Sequence, residues 1–244
     1  MLPLGDDNQP GRGLAVATVA IIAVNVAVFV LLQLGSDAFT YGYSVIPREI
    51  TTGMDLVGRQ IVVIDGQRVA IPEAPGPDPI YLTLLTAMFM HGGWLHLGGN
   101  MLFLWVFGDN VEHAFGTLAY LVFYLAAGVV ASFAQIWLDP TSVIPTLGAS
   151  GAISGVLGAY IVLFPTNRVR VLAWYYVIPV PAIVAIGMWA LLQFFYGFAS
   201  IAETQQTGGV AYMAHVGGFV AGVLVGLFAR AAGRGRRPPF RYAT

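Results

Sequence analysis

"TLGASGAISGVLGAY", residues 146–160, is an unusual opening for a membrane helix. Ser150 and Ser154 stand four residues apart among glycines and alanines, and the chain turns fully apolar only behind them. Counted from Ser150 to the stop at Pro165, the run is about 15 residues, roughly 22 Å at 1.5 Å per residue. A hydrocarbon core is about 30 Å thick. The serine end must therefore begin inside the bilayer. Irregular backbone at that depth is tolerated only beside protein or a watered cavity. The lead-in "SVIPTL", residues 142–147, is expected to line such a cavity.

Composition supports this placement. The chain has 244 residues, 57% hydrophobic and 9% charged, where soluble domains carry about 25% charged residues. The lipid bilayer is thus its first partner. A net charge of −1 gives no basis for binding nucleic acid. The absence of cysteine excludes disulfides, a thiol nucleophile and thiolate metal sites. The histidines are His91, His96, His113 and His215, and no HExxH spacing occurs among them. Neither a metal nor a cofactor is expected.

The fold class is an all-α membrane protein with six transmembrane helices. The segments are Leu14–Leu34, about Leu95–Glu112, Leu118–Leu138, Ser150–Phe164, a fifth from near Pro179–Pro181 to Phe198, and about Val210–Arg230. Proline at the head of the fifth suits a first helical turn. The first segment reads as an anchor rather than a signal peptide, because Asp6, Asp7 and only Arg12 precede it and no clear cleavage site follows. Residues 1–13 read as a cytoplasmic tail, 14–231 as the membrane domain and 232–244 as a basic cytoplasmic tail. The chain has no lysine. Arg12, Arg168, Arg170, Arg230, Arg234, Arg236, Arg237 and Arg241 fall on one side if both ends are cytoplasmic, leaving Arg48, Arg59 and Arg68 outside. The serine end of the fourth span then faces outward. The first external loop, about 35–94, is too long for a plain connector. Within it "QIVVIDGQRVAI", residues 60–71, reads as a small β-hairpin turning at Asp65-Gly66.

Polar side chains inside spans are costly and usually have a task. Here they are Asn25, His96, Asn100, Ser150, Ser154, Gln193 and His215. None is acidic, which disfavours a proton-coupled or cation transporter. A serine hydroxyl needs a base within hydrogen-bond reach to act as a nucleophile. Ser150 and His215 lie at similar depth, near the outer ends of the fourth and sixth spans. Gly151, Gly155 and Gly158 stripe one span; Gly218, Gly222 and Gly226 stripe the other. Small residues at this spacing let two helices touch, here one bearing a serine and one a histidine. His96 and Asn100, four apart, share one face of the second span, and both can donate to an oxyanion. Nucleophile, base and donors together make an acyl-transfer constellation. With no acid to orient the base it is a dyad.

The motifs "HGGWLHLGGN" (91–100), "FGDNVE" (107–112), "GASG" (148–151) and "AHVGGFVAG" (214–222) resemble the rhomboid family of intramembrane serine proteases in type and in order along the chain. The resemblance covers about residues 80–230. It implies a rhomboid bundle that cleaves transmembrane protein substrates in a cell membrane, with the active site open to the outer face. It implies Ser150 as nucleophile and His215 as base, and an oxyanion hole of His96, Asn100 and the Ser150 backbone N–H. His91 would be supporting, with Gly148, Gly151 and Gly218 holding the backbone, and Glu112 structural at the cytoplasmic end of the second span. The pattern departs at Ser154, where some members place an aromatic that stacks on the base, so what orients His215 is not given by the motif.

Plainer readings stand beside these. A serine in a membrane helix commonly bonds back to its own i−4 carbonyl, the reading preferred for Ser154. Asn25 and Gln193 read as inter-helical hydrogen-bond glue, His113 as interfacial, and Trp189 with its aromatic neighbours on the fifth span as packing or lipid-facing, with part of a lateral gate as the alternative the family resemblance implies. An inactive relative that binds membrane clients is disfavoured because both serine and histidine are present. A channel or small-solute transporter is disfavoured by the lack of inverted repeats and buried charge. Substrate identity and oligomeric state are not set by the sequence.

Overall fold

The computed structural model of the protein describes residues 2–7, 13–64, 66–202 and 211–235. Strand β1 (Leu2–Gly5) precedes helix α1 (Val16–Val28), which runs on as a π-helical turn, Phe29–Gln33. The first loop holds α2 (Asp37–Tyr43), α3 (Pro47–Thr52), the antiparallel pair β2 (Gly58–Ile64) and β3 (Gln67–Glu73), and the short α4 (Thr83–Thr86). Asp65, where the turn was expected, lies outside the described residues. Then come α5 (Trp94–Phe115), α6 (Thr117–Leu138), α7 (Ser150–Leu163), β4 (Arg168–Ala173), β5 (Tyr176–Pro181), α8 (Ala182–Ala202) and α9 (Tyr212–Ala231).

Three described segments are long and apolar enough to cross a membrane: Val16–Gln33, Thr117–Leu138 and Tyr212–Ala231. Helix α5 is as long as α6, at 22 residues, but it carries His96, Asn100, Asn110, Glu112 and His113. The short α7, at 14 residues, is the hub. It packs on α5, α6, α8 and α9, and every residue from Gly151 to Tyr160 is buried.

Glycine makes that burial possible. A Cβ on Gly218 or Gly222 would run into the carbonyls of Gly151 and Gly155, and one on Gly158 into that of Phe219. The backbones of α7 and α9 are thus in direct contact. On its other side α7 meets α6 through small residues: a Cβ on Gly151 would lie 2.6 Å from Ala131, and one on Gly155 2.6 Å from Ala127. In lipid, where no hydrophobic force drives helix pairing, such close backbone packing supplies the attraction.

Glu112 ties three helix ends together. Its carboxylate accepts from the Ala17 and Thr18 N–H groups at 3.0 and 2.8 Å and from the hydroxyls of Thr18 and Thr117 at 2.8 and 2.9 Å. The bonded amides are first-turn donors of α1 that have no acceptor within the helix.

Residues 2–7, within the segment expected as a tail, are docked. β1, β4 and β5 form a three-stranded antiparallel sheet with β4 central. Behind β1 the buried Asp6 accepts from Tyr160 Oη and from Asn110 Nδ2 (2.8 Å). Burial pushes the Asp6 carboxyl up to about 6. The sheet also corrects the expected start of the fifth span: Pro179 and Pro181 belong to β5, and the helix begins at Ala182. β5 is an edge strand, where proline's missing N–H costs no ladder bond.

The first loop fixes the lead-in to α7. Val45 and Thr146 exchange backbone bonds at 2.9 and 2.8 Å, Arg48 N–H reaches Ser142 O at 3.0 Å, and Gly148 N–H reaches Ala87 O at 2.9 Å. Buried in the same loop, Glu49 takes the Leu56 N–H at 2.8 Å. Both carboxylate oxygens of buried Glu73 lack a partner among the described residues. Burial, with the charge of Glu49, pushes Glu73 up to about 8; burial likewise pushes Glu49 up to about 7.

Candidate active site

Ser150 is the first residue of α7, and His215 lies in the first turn of α9. The α7–α9 backbone contact one turn deeper sets their separation: Ser150 Oγ is 2.8 Å from His215 Nε2. Ser154 points elsewhere, its hydroxyl donating to Ser150 O at 2.6 Å. That i−4 bond is the back-bonding expected of a serine inside a membrane helix.

Across from the serine, His96 stands in the first turn of α5. Its Nδ1 accepts the Gly92 N–H at 3.1 Å. An accepting Nδ1 carries no proton, so the neutral ring holds its proton on Nε2. Gly148 shows where that donor lies. The point that a Cβ on Gly148 would occupy is 3.1 Å from His96 Nε2 and 3.5 Å from Ser150 Oγ. A donor and a hydroxyl therefore flank one space the size of a reacting oxygen, kept open because residue 148 has no side chain. Its φ of 133° also disfavours any other residue. One turn on from His96, the buried Asn100 Nδ2 has no partner among the described residues. An unspent buried donor is costly, and it remains free to donate to a ligand. The N–H of Ser150 is a first-turn donor without an intrahelical acceptor.

A second layer holds this wall. The ring of buried His91 meets that of His96 edge to face at 5.2 Å. Gln33, in the π-helical turn, clamps the His91 backbone: its Oε1 accepts the His91 N–H at 2.8 Å and its Nε2 donates to His91 O at 3.2 Å. Nothing in the sequence spacing pointed to Gln33.

The far side of His215 was also outside the sequence reading. Gln193 of α8, expected as inter-helical glue, does bridge two helices, and its partner is the histidine itself: Oε1 lies 2.8 Å from Nδ1. With serine at 154, aromatic neighbours come from other positions. The Trp189 ring centroid is 6.1 Å from that of His215 at a tilt of 40°, and Tyr212 stands edge-on at 6.5 Å. Asn25, also expected as glue, donates to Ile21 O of its own helix at 2.8 Å, and His113 Nε2 lies 2.9 Å from Gly13 O. The signal for Gln193 was its polarity within an apolar span; its partner could not be read from spacing.

An apolar cavity opens between α5, α7 and α8, lined by Phe103, Phe107, Leu157, Ile186, Trp189 and Leu192 among others. Among the described residues no three His, Asp or Glu side chains converge to hold a metal ion.

Residues 79–232 match the family described as Rhomboid domain. The chain is 31% identical over 151 residues to Rhomboid protein 1, mitochondrial, of Saccharomyces cerevisiae, covering 60% of this chain and 41% of that protein. It is 36% identical over 144 residues to Rhomboid protease GluP of Bacillus subtilis, covering 59% and 26%. With RHOMBOID-like protein 5 of Arabidopsis thaliana it shares 30% over 144 residues, covering 59% and 42%. The chain thus spans less than half the length of these relatives.

Proposed function

The chain belongs to the rhomboid family, and from that premise we propose that it is an intramembrane serine endopeptidase acting through Ser150 and His215. Ser150 Oγ attacks a substrate carbonyl carbon as its proton passes to His215 Nε2. The carbonyl oxygen, now an oxyanion, moves into the space beside Gly148 and takes bonds from His96 Nε2–H, Asn100 Nδ2–H and the Ser150 N–H. The C–N bond breaks, and the leaving amine takes the proton from His215. Water, deprotonated by the same histidine, then hydrolyses the acyl ester and frees Ser150. The observation that carries the reading is the 2.8 Å Ser150–His215 contact facing the open space shared with His96.

In this reading six helices, α1 and α5 to α9, span a cell membrane with both termini cytoplasmic, and the site opens to the outer face. Of the arginines behind that orientation, Arg12, Arg236, Arg237 and Arg241 lie outside the described residues, as do residues 203–210 between α8 and α9. Substrates are transmembrane helices of other proteins. Their backbones are internally hydrogen-bonded, so Gly or Pro near the cut, which loosens the helix, favours cleavage. Labelling with a fluorophosphonate and mapping the modified peptide tests the assignment. Label is expected on Ser150, absent in Ser150→Ala and His215→Ala and retained in Ser154→Ala; label on Ser154 would refute it.

A further inference from the structure

We infer that the side-chain carbonyl of Gln193 is the positioning group of the base, holding His215 with its proton on Nδ1 and its Nε2 lone pair on Ser150 Oγ. The inference rests on the proposed role of the Ser150–His215 pair and adds a third member from a different helix. Both ring nitrogens of His215 are engaged at 2.8 Å, one by Ser150 Oγ and one by Gln193 Oε1. To accept the serine proton, Nε2 must start unprotonated, so the neutral ring carries its proton on Nδ1. An Nδ1–H needs an acceptor, and the amide oxygen supplies one. With the amide reversed, its NH₂ would donate to a bare Nδ1. Nε2 would then carry the proton, and the base could not accept another. The direction of this one hydrogen bond therefore decides whether His215 can work.

A neutral amide also suits the location. A carboxylate here would have to be desolvated at a membrane-embedded site, at a cost its pairing need not recover. Gln193 orients the ring without that cost, and Trp189, one turn earlier on the same face of α8, adds an aromatic wall 6.1 Å from the imidazole. An aromatic face at about this distance favours a cation, so the imidazolium formed during attack keeps some support. Among the described residues, the other titratable groups near His215 are His96 of α5, on the far side of Ser150, and Tyr212 beside it on α9, with Tyr196 of α8 stacked behind Tyr212 at 5.5 Å. None of these is an acid that could replace the amide.

The test uses the purified full chain in detergent with a model transmembrane substrate. Gln193→Met keeps length and volume and removes the acceptor; Gln193→Glu restores an acceptor and adds charge. In Gln193→Met, kcat is expected to fall about 10–100-fold with KM within twofold, less than the roughly 10⁴-fold loss when a triad loses its carboxylate. Fluorophosphonate labelling of Ser150 should slow in parallel without vanishing. In Gln193→Glu, the low-pH limb of the kcat profile is expected to move to higher pH, because a carboxylate favours the imidazolium. A packing role would not move that limb. Wild-type kcat in Gln193→Met, or equal losses in both variants with an unmoved limb, overturns the inference. If Gln193→Met fails to fold, the limb in Gln193→Glu decides alone, and an unmoved limb overturns it. Cleavage retained in Ser150→Ala would instead sink the underlying reading, whatever the glutamine variants do.

Discussion

The two helices that flank His215 are held in different ways. Helix α9 meets α7 backbone to backbone, with Gly218 and Gly222 against the carbonyls of Gly151 and Gly155. Helix α8 has only Ala182 and Ile186 buried among its described side chains, while Ile183, Val184, Leu191, Phe195 and Tyr196 are exposed. The Ser150–His215 distance is therefore fixed by a contact with no side chain to rearrange. The outer partners of the histidine, Gln193 and Trp189, ride on a helix held by far less burial. The distance of His215 from Ser150 and the contact at its other ring nitrogen are thus held by two separate interfaces, one rigid and one lightly seated.

The strongest way to break this comparison is to add the same kind of bulk to each helix. Gly222→Ala would drive its Cβ into Gly155 O and force α9 off α7. Overpacking typically costs about 1–3 kcal/mol, and here it would also part Ser150 from His215. Labelling and cleavage should drop to background, with a lowered Tm. Gly187→Ala places a Cβ on α8 where no atom lies within 4 Å, so turnover should stay within about twofold and Tm should hold or rise slightly. Equal losses in the two would remove the distinction.

The next effect probes the opposite wall. Removing one oxyanion donor typically costs about 10²–10³ in turnover. Under the proposed oxyanion role, Asn100→Ala should lower kcat by that amount with little change in KM, since such a bond forms only in the transition state. Cleavage at the wild-type rate would make Asn100 a packing residue, and a rise in KM alone would assign it to substrate binding. Ser154→Ala loses only a back-bond within α7, so kcat should remain within about threefold of wild type. A larger loss would show that the back-bond positions Ser150.

The smallest effect on the site is expected from the first loop. Glu73 sits at about 8 in the folded protein, above the ordinary carboxylate value of 4.5. The native state therefore binds this proton more tightly than the unfolded chain does. Its contribution is full below about 4.5 and declines as pH rises towards 8. Amides of β2 and β3, corrected for intrinsic exchange, should be better protected at pH 5 than at pH 8.5. Glu73→Gln should shrink that difference, leaving the share due to Glu49, and leave Ser150 labelling unchanged. Protection that rises with pH in the wild type would show that Glu73 is ionised in the folded loop.

The sequence alone placed what depends on spacing within one element. Glycines at four-residue intervals mark the contact faces of α7 and α9 wherever those helices lie. That periodicity made the nearness of Ser150 and His215 readable, as it did the shared face of His96 and Asn100 and the back-bond of Ser154. Tertiary structure decided what depends on how separate elements are rotated and registered against each other. It put Gln193 on His215 Nδ1 and Gln33 on the His91 backbone. It drew residues 2–5 into a sheet with β4, placed Pro179 and Pro181 on that sheet's edge, and kept the space beside Gly148 between a histidine and a serine. The reason is physical. Periodicity shows which face of a helix is small, apolar or polar, but a hydrogen bond between two helices requires atoms to meet within a few tenths of an ångström, and only the packed structure sets that.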